Sequence, residues 1–350
     1  MGQFTPGQGE LLRRALGGKG ATKAVETFQT AFTAGAQQQG VSTETAAQVF
    51  EQLKAFGGYS FPKSHAAAFA VLVYQSAYLK HYYTAEYLCA ILNEQPMGFW
   101  SPAVIVNDAR RHGITVLPVS IHLSQADCTL EGPNIRLGLR YVAYLTEKQI
   151  QALVAAREEH DFTDLPDLLR RISLPRTTVE NLILIGAMDA WDIARRQLLW
   201  ELGECYTREG ELPLIFATHM VDLPPLSRQE MLHAEYALLG LSAGDHVMGM
   251  YKESMQAQGI LGSKQLMAVQ PDTKVRIAGQ VVMHQAPPTA KGHHFITLED
   301  EDGMMNVIVR PDVYERYRTV VRSAPLLIVI GQVQKKGAVV NLIAQQILSL

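Results

Sequence analysis

The chain has 350 residues, enough for two or three domains with separate hydrophobic cores. A hydrophobic content of 47% with a charged content of 19% indicates a globular protein and excludes a disordered one. The net charge of −3 excludes a chain-wide basic signature of nucleic-acid binding, so any such function must depend on local patches.

Cysteine usage and the first residues of the chain indicate a cytoplasmic protein. Cys89, Cys128 and Cys205 lie far apart without metal-ligand spacing, which predicts reduced thiols and no metal site. No apolar run reaches the roughly 18 residues that a membrane span needs, so we expect no membrane partner. The polar N-terminal residues lack the apolar core of a signal peptide.

Residues 1–95 are predicted to be helical. Helical spacing or start and stop signals predict helices at 10–16, within 22–36, after Ser42 and at 85–92. Ser42 is the predicted N-cap of its helix, with Thr45 in the position where a full capping box would have Glu or Gln. The run Ala66–Leu79 is too hydrophobic for a surface helix, and we expect it to be buried.

An anion site is predicted where this apolar helix begins. A Gly57-Gly58 turn and a rigid Phe61-Pro62 step precede Lys63, Ser64 and His65, and a helix start favours negative charge. The residues alone support a structural interpretation equally well, with Ser64 as N-cap and His65 as a core histidine.

Arg13 and Arg14 form a second candidate anion site. Arginine forks suit phosphate oxygens, but adjacent residues on a helix point about 100° apart. Taken alone, the pair is better interpreted as a solvated charged face.

Residues 96–205 suggest a connector followed by two helix–hairpin–helix units, which bind the DNA backbone through loop amides. The first unit would run from Leu139 to Arg157 with its hairpin at 143–146, and the second from Leu168 to Ile185 with its hairpin at 173–175. The candidate DNA-binding residues of the first unit are Tyr144, Thr146 and Lys148. Neither hairpin has the glycine that usually permits close phosphate approach, so these residues favour a plain helical packing domain at least as well.

Residues 206–265 are predicted to be a linker that contains helices at 227–240 and 246–258, and residues 266–350 form an all-β domain. Five predicted strands, with a helix between the third and fourth, suggest an OB-type barrel; a small β-sandwich is the alternative. Basic residues that could line a groove for single-stranded nucleic acid are Lys274, Arg276, Lys291, Arg310, Lys335 and Lys336. Phe295 and Tyr314 could fill the core instead of stacking on bases, and the acidic run 299–302 is interpreted as a solvated loop.

Signals for a complete enzyme are missing from these residues. No carboxylate pair has the spacing of a two-metal site, and there is no phosphate-binding Gly-x-x-x-x-Gly-Lys loop or nucleophile–base pair.

Several long motifs, in order along essentially the whole chain, resemble one family. The segments 11–16, 35–36, 57–66 and 74–80 resemble the fingers of the bacterial DNA polymerase III alpha subunit (C-family). The segments 92–102, 108–113, 136–140, 289–292 and 298–301 are similar to its error-prone branch. The chain therefore resembles about the last third of such a polymerase.

This resemblance implies a multidomain fold and a set of site residues. The fold would be an all-α fingers remnant (1–95), a connector with tandem helix–hairpin–helix (96–205), a linker with helices (206–265) and an OB-fold domain (266–350). Arg13, Arg14, Lys63 and His65, with Ser64 as a helper, would bind the triphosphate of an incoming dNTP. The palm aspartates that hold catalytic Mg²⁺ would lie upstream, so we expect this chain alone to be inactive.

The implied partners are primer–template DNA, single-stranded template, the remainder of the polymerase, and a sliding clamp or accessory repair proteins. The chain departs from the family at three places: Lys63 replaces the usual Glu of error-prone members, Tyr144 replaces a glycine, and 211–216 is only a distant match to a clamp-binding peptide. A non-catalytic DNA-binding module derived from a truncated polymerase is the alternative, and an OB-containing RNA or tRNA binder is a more remote one.

Overall fold

The computed structural model of the protein describes residues 2–17, 25–55, 63–205 and 223–350. The chain divides into two compact units, Met1–Leu79 and Lys80–Leu350. Within the described ranges, no helix has the length and apolar character needed to cross a membrane.

The first unit is helical, as predicted. Its helices are α1 (Pro6–Gly17), α2 (Gln29–Gln38), α3 (Thr43–Ala55) and α4 (Lys63–Tyr82), the last of which ends beyond the unit. Leu12, Val25, Phe32 and Phe50 form its core. The predicted cap of α3 is confirmed, since the Thr45 N–H donates to Ser42 Oγ at 3.2 Å.

The prediction that the apolar run in α4 is buried is wrong. None of its described residues is buried, and Leu72, Val73 and Tyr74 are all more than half exposed. A helix that is hydrophobic on every side normally lies in a core. Composition reports how much apolar surface a helix carries, but it does not report whether the same chain supplies a surface to cover it.

A helical body with one continuous core opens the second unit. It begins with α5 (Thr84–Asn93) and α6 (Pro102–Arg111), followed by a small sheet of β1 (Val116–Leu117), β2 (Thr129–Glu131) and β3 (Asn134–Arg136) in the order β1-β3-β2. The remaining helices are α7 (Glu147–Glu159), α8 (Leu165–Arg171), α9 (Arg176–Leu184), α10 (Arg195–Cys205), α11 (Arg228–Leu239), α12 (Lys252–Ala257) and α13 (Ser263–Ala268).

The helix–hairpin–helix prediction holds for the order of elements but not for every length. The first helix–hairpin–helix opens with a short 3₁₀ turn, Leu139–Tyr141, where a helix was expected, and its hairpin then leads into α7. In the second helix–hairpin–helix, α8 and α9 flank residues 172–175, as predicted. Pro175 precedes α9 with φ −58°, which is the angle its ring imposes.

The C-terminal domain is a closed five-stranded barrel in the order β4-β5-β6-β8-β7, which confirms the OB-type prediction over the β-sandwich. Its elements are β4 (Lys274–Gln285), β5 (His294–Glu299), β6 (Met304–Val309), α14 (Pro311–Ser323), β7 (Leu326–Lys336) and β8 (Val339–Ser349). Parallel pairing of β6 with β8, with Val307 opposite Leu342, closes it.

The prediction that the acidic run 299–302 is a solvated loop is wrong for its first two residues. Glu299 is fully buried and accepts hydrogen bonds from Arg111 Nη1 at 2.8 Å and Asn107 Nδ2 at 3.0 Å, both on α6. Asp300 is also buried, and it accepts from the Ser263 N–H and hydroxyl at 2.6 Å each. The run therefore joins the barrel to the helical body.

Candidate nucleic-acid interface

The hairpin before α7 is held by its neighbours on both sides of its tip. The Ala143 N–H donates to Leu238 O at 2.8 Å, and Asn181 Nδ2 donates to Ala143 O at 3.4 Å. Leu145 is buried, and its N–H donates to Val142 O at 3.2 Å. The tip residue between them, Tyr144, is thus fixed by the surrounding packing.

Tyr144 has the backbone conformation that a glycine would adopt there. Its φ is +65°, in the left-handed region that non-glycine residues rarely occupy, and its side chain is 82% exposed. The missing glycine therefore does not remove the hairpin shape. It adds an aromatic side chain at the tip.

The start of α7 is capped by its own side chains. The Gln149 N–H donates to Thr146 Oγ1 at 3.4 Å, and the Thr146 N–H donates to Gln149 Oε1 at 2.8 Å. This reciprocal arrangement leaves the N–H groups of Glu147 and Lys148, in the first turn, without an intrahelical partner. Thr146 thus has a structural role at the start of α7, because its hydroxyl is used in the helix cap.

The two hairpins border one groove of about 1020 Å³. Thr146, Lys148 and Gln149 line one side, and 169–175 line the other. Lys148 is exposed, and no ion-pair partner for it lies among the described residues. The groove thus brings together two of the predicted site residues and the predicted second hairpin.

Arg170 also lines this groove, and the sequence analysis did not select it. Its side chain is 63% exposed, and Nη2 lies 3.3 Å from Asp167 Oδ1. The adjacent Arg171 is structural: it is mostly buried, donates to Ala156 O and His160 O, and lies over the Phe162 ring. The position of Arg170 just before the predicted hairpin could have identified it as a site residue. Because Arg170 and Arg171 are adjacent arginines, the sequence does not distinguish the exposed one from the structural one.

The negative charge of Glu147, beside the hairpin, is countered locally. Arg140 Nε lies 3.3 Å from Glu147 Oε2, and its Nη1 lies 2.5 Å from Asp127 Oδ1. Lys148 therefore does not have to neutralise Glu147 and can serve an external anion.

The basic residues of the barrel lie toward the two ends of its strands. Strand β4 has 12 residues, whose 11 steps of about 3.3 Å span roughly 36 Å along the strand. Lys274 lies at one end of it, near the part of β7 that ends in Lys335 and Lys336. Lys291 and Arg310 lie near the other end, where β5 and β6 meet at His294 and Val309.

Two of these basic side chains hold neighbouring backbone. Arg276 Nη2 donates to Gln258 O, and Lys335 Nζ donates to Met267 O at 2.8 Å. Both bonds join the barrel to the segment that precedes it, which is a structural use of these cations.

The exposed part of the outer face of β5 and β6 is neutral. Phe295 is 37% exposed opposite Ile308, and Thr297 lies opposite Asn306, so Phe295 does not fill the core. Tyr314, in contrast, packs partly against the core and stacks on His294 at 3.5 Å between ring centroids.

The candidate triphosphate residues lie on two helices of the first unit. Arg13 and Arg14, on α1, both bind Glu10, with Nε–O distances of 2.7 and 3.0 Å, and their hydrogen bonds lower the pKa of Glu10 to about 2. Lys63, Ser64 and His65 are exposed in the first described turn of α4, and the His65 ring contacts Phe69 at 4.5 Å. His65 is therefore not a core histidine. The segments 56–62 and 211–216 lie outside the described residues.

No group of three His, Cys, Asp or Glu side chains in the described ranges is arranged to hold a metal ion.

Two sequence families match the second unit. A helix-hairpin-helix motif family matches residues 113–198, and an OB-fold nucleic acid binding domain family matches residues 275–350. These matches cover both the groove and the barrel.

The chain is similar to bacterial proteins named error-prone DNA polymerase. The identity is 39% to that of Aromatoleum aromaticum, covering 98% of this chain and 33% of the relative. It is 38% to that of Corynebacterium efficiens, covering 98% and 32%, and 38% to that of Pseudomonas paraeruginosa, covering 99% and 35%. The chain spans about one third of the length of these relatives.

Proposed function

We propose, on the premise that this chain is a relative of the error-prone branch of the bacterial DNA polymerase III alpha family, that it binds DNA for template-directed synthesis. The observation that carries this proposal is the groove between the two hairpins, with Lys148 and Arg170 exposed along it.

The groove suits a DNA backbone rather than base edges. Lys148 and Arg170 supply cations from opposite sides, and the first turn of α7 supplies N–H donors. Contacts of this kind fix the position of a duplex without reading its sequence. The barrel, whose exposed surface on β5 and β6 carries neutral residues and Phe295, then serves the single-stranded template.

Arg13, Arg14, Lys63 and His65, with Ser64, orient the triphosphate of the incoming dNTP. Their exposure supports this role, because a ligand can reach all five. Glu10 keeps the two guanidinium groups together, and the triphosphate has to compete with it. These residues position and neutralise the substrate, and we assign them no part in a Mg²⁺-dependent step.

The exposed apolar face of α4 contacts the remainder of a longer polymerase. Leu72, Val73 and Tyr74 present apolar surface that no described residue covers, and the relatives are about three times as long as this chain. Exposed apolar surface of this extent marks an interaction site.

Removing the two groove cations tests the DNA-binding proposal. The double variant Lys148→Ala/Arg170→Ala should bind a primer–template at least tenfold more weakly than the unmodified chain in fluorescence anisotropy at fixed salt. Two lost phosphate contacts at about 1 kcal/mol each correspond to a loss of this order.

The matched control is Arg316→Ala/Arg318→Ala. It removes the same charge from exposed positions on α14, away from the groove. Equal affinities of the two double variants would show that only net charge matters and that the groove is not the binding site.

A further inference from the structure

Tyr144, at the tip of the hairpin at 143–146, is the most exposed tyrosine that the structure describes, and its ring is unused within the described part of the chain. Its side chain is 82% exposed, and among the described residues its hydroxyl has no hydrogen-bond partner and its ring has no aromatic partner. The ring is therefore available for contact with a molecule outside the chain.

The ring cannot move away by a change of the hairpin backbone. The residues on either side of Tyr144 are anchored, Ala143 by Leu238 and Asn181, and Leu145 by burial. The left-handed conformation at φ +65° is therefore imposed on a residue that resists it, where glycine would adopt it easily. The anchored backbone therefore fixes the direction in which the Tyr144 side chain leaves the hairpin.

The neighbours of the ring indicate the chemistry of its ligand. Lys148 follows it by four residues and lines the groove with Arg170. Cations that hold a phosphate backbone place the attached nucleobases a few ångströms away. Bases inside a duplex are already stacked and paired, so the face of the ring can stack only on an unpaired base or on a terminal one.

We propose that Tyr144 stacks on an unpaired nucleobase of a DNA strand whose backbone lies in the groove. This inference rests on the proposed function and deepens it. It makes Tyr144 a specificity-determining residue that gives the chain a preference for junctions between single- and double-stranded DNA over blunt duplex. A glycine at this tip would support backbone contact alone.

The test compares Tyr144→Phe and Tyr144→Gly in the full chain. Anisotropy measures binding to a primer–template with a single-stranded overhang and to a blunt duplex of the same length. Tyr144→Phe should bind both like the unmodified chain, because the ring is retained. Tyr144→Gly should bind the overhang substrate at least fivefold more weakly, which is the low end of the contribution of one stacked base, and the blunt duplex almost unchanged.

Two further readouts keep the result interpretable. The melting temperature of Tyr144→Gly should equal or exceed that of the unmodified chain, since glycine relieves the left-handed conformation, so a folding defect cannot explain weaker binding. A 2-aminopurine base in the overhang should report a stacking change with the unmodified chain and Tyr144→Phe, but not with Tyr144→Gly.

The inference is overturned if Tyr144→Gly binds the overhang substrate like the unmodified chain, or if it loses the same factor on blunt duplex. A ring that serves a protein partner would give the first of these results. If Lys148→Ala/Arg170→Ala still weakens binding, the proposed function stands without the stacking role; if neither variant has an effect, the proposed function fails as well.

Discussion

Glu299 shows how one side chain connects the parts of the second unit. It is fully buried on the barrel, and both of its oxygens are bound from α6 by Arg111 and Asn107. His246, also buried, has its Nδ1 occupied by the Met248 N–H and directs Nε2 toward Glu299 Oε2 at 3.7 Å. Three separate segments thus converge on a single carboxylate.

Replacing Glu299 should destabilise the protein strongly. Glu299→Gln leaves the largely buried Arg111 with only its longer pair to Asp108 at 4.0 Å, and breaking a buried pair in this way costs about 3–5 kcal/mol. Urea unfolding should show this loss. The control Glu301→Gln removes a more exposed pair with Lys252 and should cost no more than about 1 kcal/mol. Equal unfolding midpoints for the two variants would contradict the assigned role of Glu299.

Sequence alone could not assign these roles. Four consecutive acidic residues usually mark a solvated turn, and no local signal distinguishes a buried Glu299 from an exposed one. The difference arises from pairing: Glu299 lies opposite Gln280 in the β4–β5 register, on the side that α6 covers. Such a contact joins residues 188 positions apart, which local patterns do not report.

At the scale of elements, helix α7 depends on its cap. Thr146→Ala removes the hydroxyl that accepts from Gln149, and we expect a loss of about 1 kcal/mol in the free energy of unfolding. It should also weaken DNA binding, because a frayed first turn no longer positions Lys148. Thr146→Ser should restore both properties.

Ser227 provides the matched control, because it caps α11 through the same reciprocal pattern with Glu230. Ser227→Ala should lose similar stability in urea unfolding and keep its affinity for DNA. If both alanine variants weaken DNA binding equally, the effect is general and α7 has no special part in the interface.

A histidine pair at one end of the barrel should make stability depend on pH. His284 Nε2 lies 2.8 Å from His294 Nδ1. Burial lowers the pKa of both, with His294 and Arg322 lowering that of His284 further and Glu315 acting in the opposite sense on His294. Because the folded protein binds these protons less readily than the unfolded chain, stability is full above the ordinary pKa of about 6.5 and falls as the pH drops below it.

The variant His284→Gln/His294→Gln should remove this part of the pH dependence. Melting temperatures between about pH 7.5 and about pH 5.5, on either side of the ordinary histidine pKa, should fall less in the variant than in the unmodified chain. An identical fall in both proteins would show that other groups are responsible.

The elements themselves were largely predictable. The sequence predicted the five strands and the intervening helix of the barrel, and the structure has short non-helical connections at the predicted hairpins 143–146 and 173–175. The exposure of α4 was not predictable, because its composition fits a core helix equally well. The shared groove was not predictable either, because it depends on how α7 and α8 pack.

At the scale of the whole molecule, the chain matches a helix-hairpin-helix motif family and an OB-fold nucleic acid binding domain family, and its relatives are about three times as long. We predict that the chain alone, with Mg²⁺ and dNTPs, does not extend a primer in a gel assay. Within a longer polymerase, Arg13→Ala should raise the KM for dNTP or lower kcat in single-nucleotide insertion. Primer extension by the chain alone, or unchanged insertion kinetics for the variant, would contradict these assignments.

The salt dependence of DNA binding tests the central claim most directly. Each phosphate contact adds about 0.9 to the slope of log affinity against log salt concentration on duplex DNA. If Lys148 and Arg170 hold the backbone in the groove, the slope for Lys148→Ala/Arg170→Ala should be smaller than that of the unmodified chain by about 1.8. If the slopes for Lys148→Ala/Arg170→Ala and for the control variant Arg316→Ala/Arg318→Ala both equal that of the unmodified chain, the claim that this groove binds DNA is contradicted.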